Sequence, residues 1–446
     1  MISLLSAYKQ LLVSGWVCLV AGLSCLVAQA AVPQAPDDAT TEIQRLLDQQ
    51  KEVLLPAGTF LISRSIEIPD GGRLLGAGKG RTRLRLKPGT NADLVRTERF
   101  AQLTGRQALL DAPSRFKVAD LTLDGGYLEK RWNVDENTIL NEKGSCLKAY
   151  GRLFEIDVEV TNCAENGIYL EGQGPRNGQE VASTIRVTGQ LFGKEAMIFR
   201  GPGDILIEYA VLGISGFVPK ANRPGAAVAS VVYGSYGKID GVVVDKVPPY
   251  EGTVEVDFMH VYGVGAGVGF RTIGNPRVQI RHLISEGNLG GIAVSAGTWG
   301  GIGLLDIHSN GRAWQRSARP MEGALLETAG PFTIGSGILN RSVGSGEDWV
   351  AVRSTGTNQM LNLSLRGNVN PQTKELYRGD GVVIEGSGNL VHVAMRRING
   401  HPLVVSGSNN RVSGVVTEAN GRCRIVGSSN DVSITSDSKD CSLPLR

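Results

Sequence analysis

The chain is organised by a short motif that returns at coil-like intervals. Its clearest copy is NGIYLEGQG, Asn166 to Gly174, where Ile168 and Leu170 alternate with Tyr169 and Glu171. Alternation of period two marks a strand with one buried face. CLKAYGR (Cys146 to Arg152) precedes it. AMIFRGPG (from Ala196), SVVYGSYG (from Ser230), GVGFRTIG (from Gly267), GIAVSAGT (from Gly291) and GALLETAG (from Gly323) follow. WVAVRSTG (from Trp349), GVVIEGSG (from Gly381), HPLVVSGS (from His401) and RCRIVGSS (from Arg422) complete eleven copies. Gly386, Gly407 and Gly427 lie 21 and 20 residues apart, but Gly172, Gly201 and Gly234 lie 29 and 33 apart. The middle turns therefore carry insertions. One such coil cannot bury its own apolar face, so the repeat predicts stacked coils about 4.8 Å apart around a shared core, a β-solenoid. A sandwich or a barrel does not account for copies at this spacing.

Residues 1–30 stand outside that argument. Lys9, an apolar run from Leu11 to Val27 and Ala28-Gln29-Ala30 read as a secretory signal peptide, with Ala31 starting the mature chain. The run is short for a membrane span, and Gly22 argues against a lipoprotein signal at Cys25. The predicted domain is 31–446, periplasmic or secreted, with no membrane contact after cleavage. It keeps four cysteines, and the natural pairs are Cys146–Cys163 and Cys423–Cys441, each closing about one coil; free thiols are the alternative. A formal net charge of +3 gives nucleic-acid binding no electrostatic support. Near the mature start, Thr41 and Gln44 form a capping-box pattern ahead of an apolar face of Ile43, Leu46 and Leu47, predicting a short helix over the first coil.

The segment Glu52 to Leu86 adds a resemblance. Its Leu55-Pro56-Ala57-Gly58-Thr59-Phe60, Ile66, Ile68-Pro69-Asp70-Gly71 and Leu75-Gly76-Ala77-Gly78, with Ile43-Gln44 before them, resemble the opening of pectate-lyase-like proteins, which include phage tailspikes and polysaccharide lyases. With the ladder that follows, the resemblance covers nearly the whole mature chain. It implies an all-β fold, a right-handed parallel β-helix in a single chain with a short N-terminal capping helix. It identifies the superfamily well and the reaction poorly. Gly76, Gly78 and Gly80 read as turn glycines, since no βαβ unit follows. The long polar insertion Tyr127–Lys143, with Arg131, Trp132 and Asp135, is of the kind that carries binding function, and two further insertions, Phe217–Pro224 and Asn310–Met321, are expected to wall a groove.

The ladder also predicts a surface. The outward residue before each terminal turn forms a column: Tyr150, Glu171, Arg200, Tyr233, Arg271, Ser295, Glu327, Arg353, Glu385, Ser406 and Val426; a second column adds Lys148 and Tyr169. Arg200, Tyr233 and Arg271 are thereby expected on consecutive coils, flanked by the substrate-binding set Lys148, Tyr150, Tyr169 and Glu171. Arginine holds a uronate carboxylate through paired hydrogen bonds, and tyrosine offers a flat apolar face to a sugar. Neutralising that carboxylate acidifies the neighbouring C–H, and a tyrosine between two cations has a lowered pKa suited to proton transfer. The structural alternative is an outward face of alternating charge. His260, His282 and His308, 22 and 26 residues apart, form a second sector, with His260 and Tyr262 its best acid–base pair.

Absences narrow the chemistry. The chain lacks the DPH-type motif of the superfamily's uronan epimerases and the aspartate pairs of its polygalacturonases. Lyases of this shape often use calcium, but no Asp/Glu cluster declares a site, so the cofactor stays open. The reading is an exported lyase that binds an acidic polysaccharide and cleaves it by β-elimination. The alternatives are a uronate C5-epimerase and a non-catalytic polysaccharide-binding protein. The oligomeric state is open.

Overall fold

The computed structural model describes residues 37–100, 113–129, 138–172, 183–200, 204–217, 253–263, 268–288, 290–308, 324–340, 350–367, 379–437 and 441, and the backbone of 229–234. The expected signal segment, most of the insertions Phe217–Pro224 and Asn310–Met321, and Arg131, Trp132 and Asp135 of the first insertion lie outside the described residues.

Among the described residues the strands form two parallel sheets, one of 13 short strands and one of 16 that are mostly longer. A typical coil contributes one strand to each: Ile168–Gly172 lies in the short-strand sheet and Ser183–Phe192 in the long-strand sheet. Each pairs with its counterparts in the preceding and following coils. The long strands are two sheet segments joined at a bend. Lys117–Asp124 pairs through Lys117–Ala119 with Arg73–Leu75 and through Thr122–Asp124 with Arg83–Arg85, which belong to separate strands of an earlier coil. The joint is Asp120, at φ +59°. Register shifts recur at Ile185/Arg186 and between Ile334 and Gly337. The coil therefore has three sides, as a right-handed parallel β-helix does.

The alternation expected from sequence sets what lies inside. Ile168, Leu170, Phe199, Phe270, Ile292, Val294, Val352 and Ile384 are all buried in one continuous core. Ile425 is only half-buried, because it sits in the terminal strand of the short-strand sheet. The last coils carry a second internal column that the repeat alone did not disclose. Asn389, Asn410 and Asn430 each stand three residues after a stacking glycine. The Asn389 amide N–H donates to Asn410 Oδ1 (3.0 Å), and that of Asn410 to Asn430 Oδ1 (2.9 Å). The side-chain amides donate to the carbonyls of Gly356, Gly386 and Gly407. This ladder supplies the turn polar groups with partners that water cannot reach. Gly407 is required because a Cβ there would lie 1.8 Å from the Gly386 carbonyl oxygen.

Helix α1, Thr40–Gln50, closes the N-terminal end, burying Ile43, Leu46 and Leu47 against the first coil. The expected capping box does not form. The helix starts two residues earlier than a Thr41 cap requires, with Ala39 as its N-cap, and Asp38 Oδ1 accepts from the Thr40 N–H and hydroxyl instead. Gln44 is drawn off to the edge strand Ile66–Ile68. Its Nε2 donates to the Glu67 carbonyl (3.0 Å) and its Oε1 accepts from the Glu67 N–H (2.8 Å). One amide thus satisfies an edge that would otherwise invite another strand. Both expected disulfides are present, Cys146–Cys163 and Cys423–Cys441, with Cα separations of 5.5 and 4.9 Å. No helix among the described residues is long and apolar enough to cross a membrane.

Candidate functional site

The register between neighbouring coils decides which outward residues meet. One unbroken file climbs the short-strand sheet through Glu67, Arg96, Lys148, Tyr169, Ile198, Val232 and Arg271, and continues through Ala293, Glu327 and Arg353. A second, two residues further along each strand, holds Tyr150, Glu171, Arg200, Gly234 and Ile273.

This corrects the expected column, which merged the two files. Arg200 is opposite Gly234, not Tyr233. Tyr233 pairs with Phe199 and Thr272, the inward positions, and Arg271 pairs with Val232. The physical cause is the run Val231-Val232. With two apolar residues side by side, the parity of the strand cannot be read, and a one-residue slip exchanges its faces. Arg200 and Arg271 therefore stand on different files two coils apart, roughly 12 Å between Cα atoms at ordinary strand spacings. The expected catalytic trio is not brought together. His260 stands on the long-strand sheet, where its Nε2 lies 3.1 Å from Glu286 Oε2.

The binding set does assemble. Tyr169 donates its hydroxyl proton to Glu171 Oε1 at 2.6 Å. Arg200 lies over the Tyr169 ring at 5.7 Å and places Nη1 3.9 Å from the same Glu171 oxygen. Lys148 flanks the other side of Tyr169, its Nζ 5.5 Å from the ring centre and 3.9 Å from Asp93. Phe100 closes this side, edge-on to Tyr169 and beneath the same ammonium at 5.1 Å. Nothing in the sequence marked Phe100, because it falls in a segment without the repeat. Tyr150 departs from expectation: it shares the outward file with Glu171 but is 3 % exposed, its ring against Phe100. It supports the cluster from below and is not a contact surface.

The electrostatics follow from this burial. Desolvation pushes the Tyr169 phenol well above its ordinary value, and the Glu171 charge adds to the rise, while Arg200 opposes it. Tyr169 is thus a proton donor at neutral pH, whereas the sequence reading assigned an acidified tyrosine to Tyr233. Desolvation lowers the pKa of Arg271, with Glu327 opposing. Among the described residues the Nε atoms of Arg200, Arg271 and Arg353 are buried and meet no hydrogen-bond acceptor. A buried N–H of this kind calls for an acceptor, which water or an anion can supply.

Among the described residues no group of three His, Cys, Asp or Glu side chains is arranged to hold a metal ion. The cluster itself pairs Glu171 with Arg200, a donor set that does not suit calcium.

These features define the chain as a right-handed parallel β-helix. No family model matches it, and no curated protein does so significantly. Among solved structures it is similar to the N-terminal fragment of bacteriophage Phi29 gene product 12, at TM-score 0.54 and 15 % identity, over 94 % of this chain and 73 % of that one. It is also similar to the A-module of the Azotobacter vinelandii mannuronan C-5 epimerase AlgE6 (TM-score 0.47, 14 % identity, 94 % and 99 % covered). PfbA, a surface adhesin of Streptococcus pneumoniae, follows at TM-score 0.38 and 12 % identity, with 92 % of each chain covered. The likeness is one of fold.

Proposed function

We propose that the protein is exported, binds an acidic polysaccharide across the short-strand sheet and cleaves it by β-elimination at Tyr169 and Glu171. The observation that carries this reading is the 2.6 Å hydrogen bond from Tyr169 to Glu171 between Lys148 and Arg200. Elimination needs three roles: neutralisation of the uronate carboxylate, a base for the α-proton and an acid for the departing oxygen. Arg200 and Lys148 supply the first. Glu171 takes the proton from the carbon next to the carboxylate. As the bond to the glycosidic oxygen breaks and the ring double bond forms, Tyr169 gives its proton to that oxygen. The proton on Glu171 then returns to the phenolate through the existing hydrogen bond, which restores the starting state. Arg271 and Arg353, further along the file of Lys148 and Tyr169, hold further carboxylates of the same polymer. No step passes through calcium.

Incubation with a panel of uronic-acid polymers tests this. Ultraviolet absorbance from the new double bond is the expected result. Solvent deuterium entering the sugar without that absorbance points to C5-epimerisation, which begins with the same proton abstraction. Binding with neither signal leaves a polysaccharide-binding protein. No binding to any member of the panel refutes the reading.

A further inference from the structure

A separate group of side chains on the long-strand sheet remains without a role. Tyr262, Glu286 and His308 stand opposite one another on three consecutive coils. Glu286 Oε2 meets His260 Nε2 at 3.1 Å and faces His308 Nε2 at 3.5 Å. The other nitrogen of His308, Nδ1, lies 3.0 Å from Asp306 Oδ1. Carboxylates and imidazoles therefore alternate, Asp306–His308–Glu286–His260, beside a phenol. None is closed off: the side chains of His260, Glu286, His308 and Asp306 are 25, 43, 29 and 35 % exposed. Backbone has been cleared for the phenol, since a Cβ on Gly213 would lie 2.2 Å from the Tyr262 ring.

A second file runs beside this group, two residues back from His260 and Asp306 and four back from Tyr262, Glu286 and His308. Tyr209 and Phe258 stack at 5.3 Å, and His282 meets Phe258 edge-on at 5.2 Å. Leu304 continues the file opposite His282. Tyr209 and Leu304 are 44 and 37 % exposed, among the large apolar side chains the fold leaves open. An apolar ridge thus borders a row of hydrogen-bonding groups, and no ion pair to lysine or arginine neutralises Glu286 or Asp306 among the described contacts.

We propose that this face is a second carbohydrate site, and that it takes an uncharged sugar. Two carboxylates repel the polyanion that the arginines of the other sheet would hold. Carboxylate oxygens accept from sugar hydroxyls, and imidazoles and a phenol donate or accept as required. The ridge covers the C–H surface of the sugar. The site does not depend on the reading of Tyr169 and Glu171.

Titration with neutral gluco-, manno- and galacto-configured oligosaccharides, followed by saturation-transfer NMR and calorimetry, tests it. At least one should bind the wild type. Glu286→Gln, which keeps the shape and removes the charge, should weaken that binding roughly 10-fold or more, as loss of a charged hydrogen bond does. Leu304→Asp should weaken it as well, and Lys148→Ala should not. The proposal fails if no neutral oligosaccharide binds, or if Lys148→Ala abolishes binding while Glu286→Gln does not. It also fails if zinc chloride binds through the two histidines in place of sugar.

Discussion

Replacing Tyr169 by phenylalanine separates a structural role from a chemical one, because the two have different sizes. The substitution keeps the ring between Lys148 and Arg200 and removes only the hydroxyl that donates to Glu171 at 2.6 Å. A hydrogen bond to a charged acceptor contributes about 1.5–3 kcal/mol. Glu171 has 19 % side-chain exposure and keeps Arg200 at 3.9 Å, so the loss of stability belongs at the lower end, about 1.5 kcal/mol. General acid catalysis is larger, roughly 100- to 10,000-fold in rate, or about 3–5 kcal/mol in the barrier. Tyr169→Phe should therefore melt slightly earlier, bind an acidic oligosaccharide almost as wild type does, and lose turnover by at least two orders of magnitude. Thermal denaturation, a binding titration and double-bond absorbance on one preparation measure all three. Turnover within threefold of wild type, alongside the stability loss, would show that the phenol only braces Glu171.

Three other outcomes follow from the geometry. Arg271→Gln should leave the free protein at least as stable, because burial already opposes that guanidinium charge, yet weaken acidic-oligosaccharide binding by roughly 10- to 100-fold; melting and titration curves check both halves. Asn410→Ala removes acceptor and donor from the Asn389 N–H and the Gly386 carbonyl, at about 1–3 kcal/mol for each buried group left alone. In a solenoid that loss stays local, so hydrogen exchange should quicken in the coils around residues 386–430 and not near α1. Asp38 has its pKa lowered to about 2: burial works against its charge, but hydrogen bonds from Ser63 and Thr40 and the charge of Lys87 outweigh it. A depressed carboxyl stabilises the fold above its ordinary value of 3.8, and the benefit disappears as pH falls towards 2. Protection of the α1 amides, with exchange corrected for its intrinsic pH dependence, should accordingly fall between about pH 4 and pH 2, and Asp38→Asn should flatten the change.

Much was legible in the residues alone. Alternation in copies such as NGIYLEGQG determined that the chain stacks into a solenoid and that Ile168, Leu170, Phe270 and Ile384 face inward. An apolar residue repeated at period two has only one face that can be buried. Four cysteines about a coil apart foretold both disulfides, and the apolar face of Ile43, Leu46 and Leu47 foretold the end-capping helix. Neighbouring copies without insertions between their strands, such as Lys148 and Tyr169, could be aligned by sequence, so the cluster around Tyr169 was in view.

Only the tertiary structure decided which outward residues share a file. One coil here advances 20 residues, from Val404 to Arg424, and another 39, from Val232 to Arg271, so the hydrogen-bond ladder, not the count of residues, sets what stands opposite what. That is why Gly234 and not Tyr233 faces Arg200, and why Arg271 joins Lys148's file. It is also why Glu286, in a copy read for His282, proved to be the residue between Tyr262 and His308. Inward positions are fixed by water's exclusion of apolar groups and leave a pattern in the sequence. Outward positions carry no such constraint, so their partners appear only once the strands are paired.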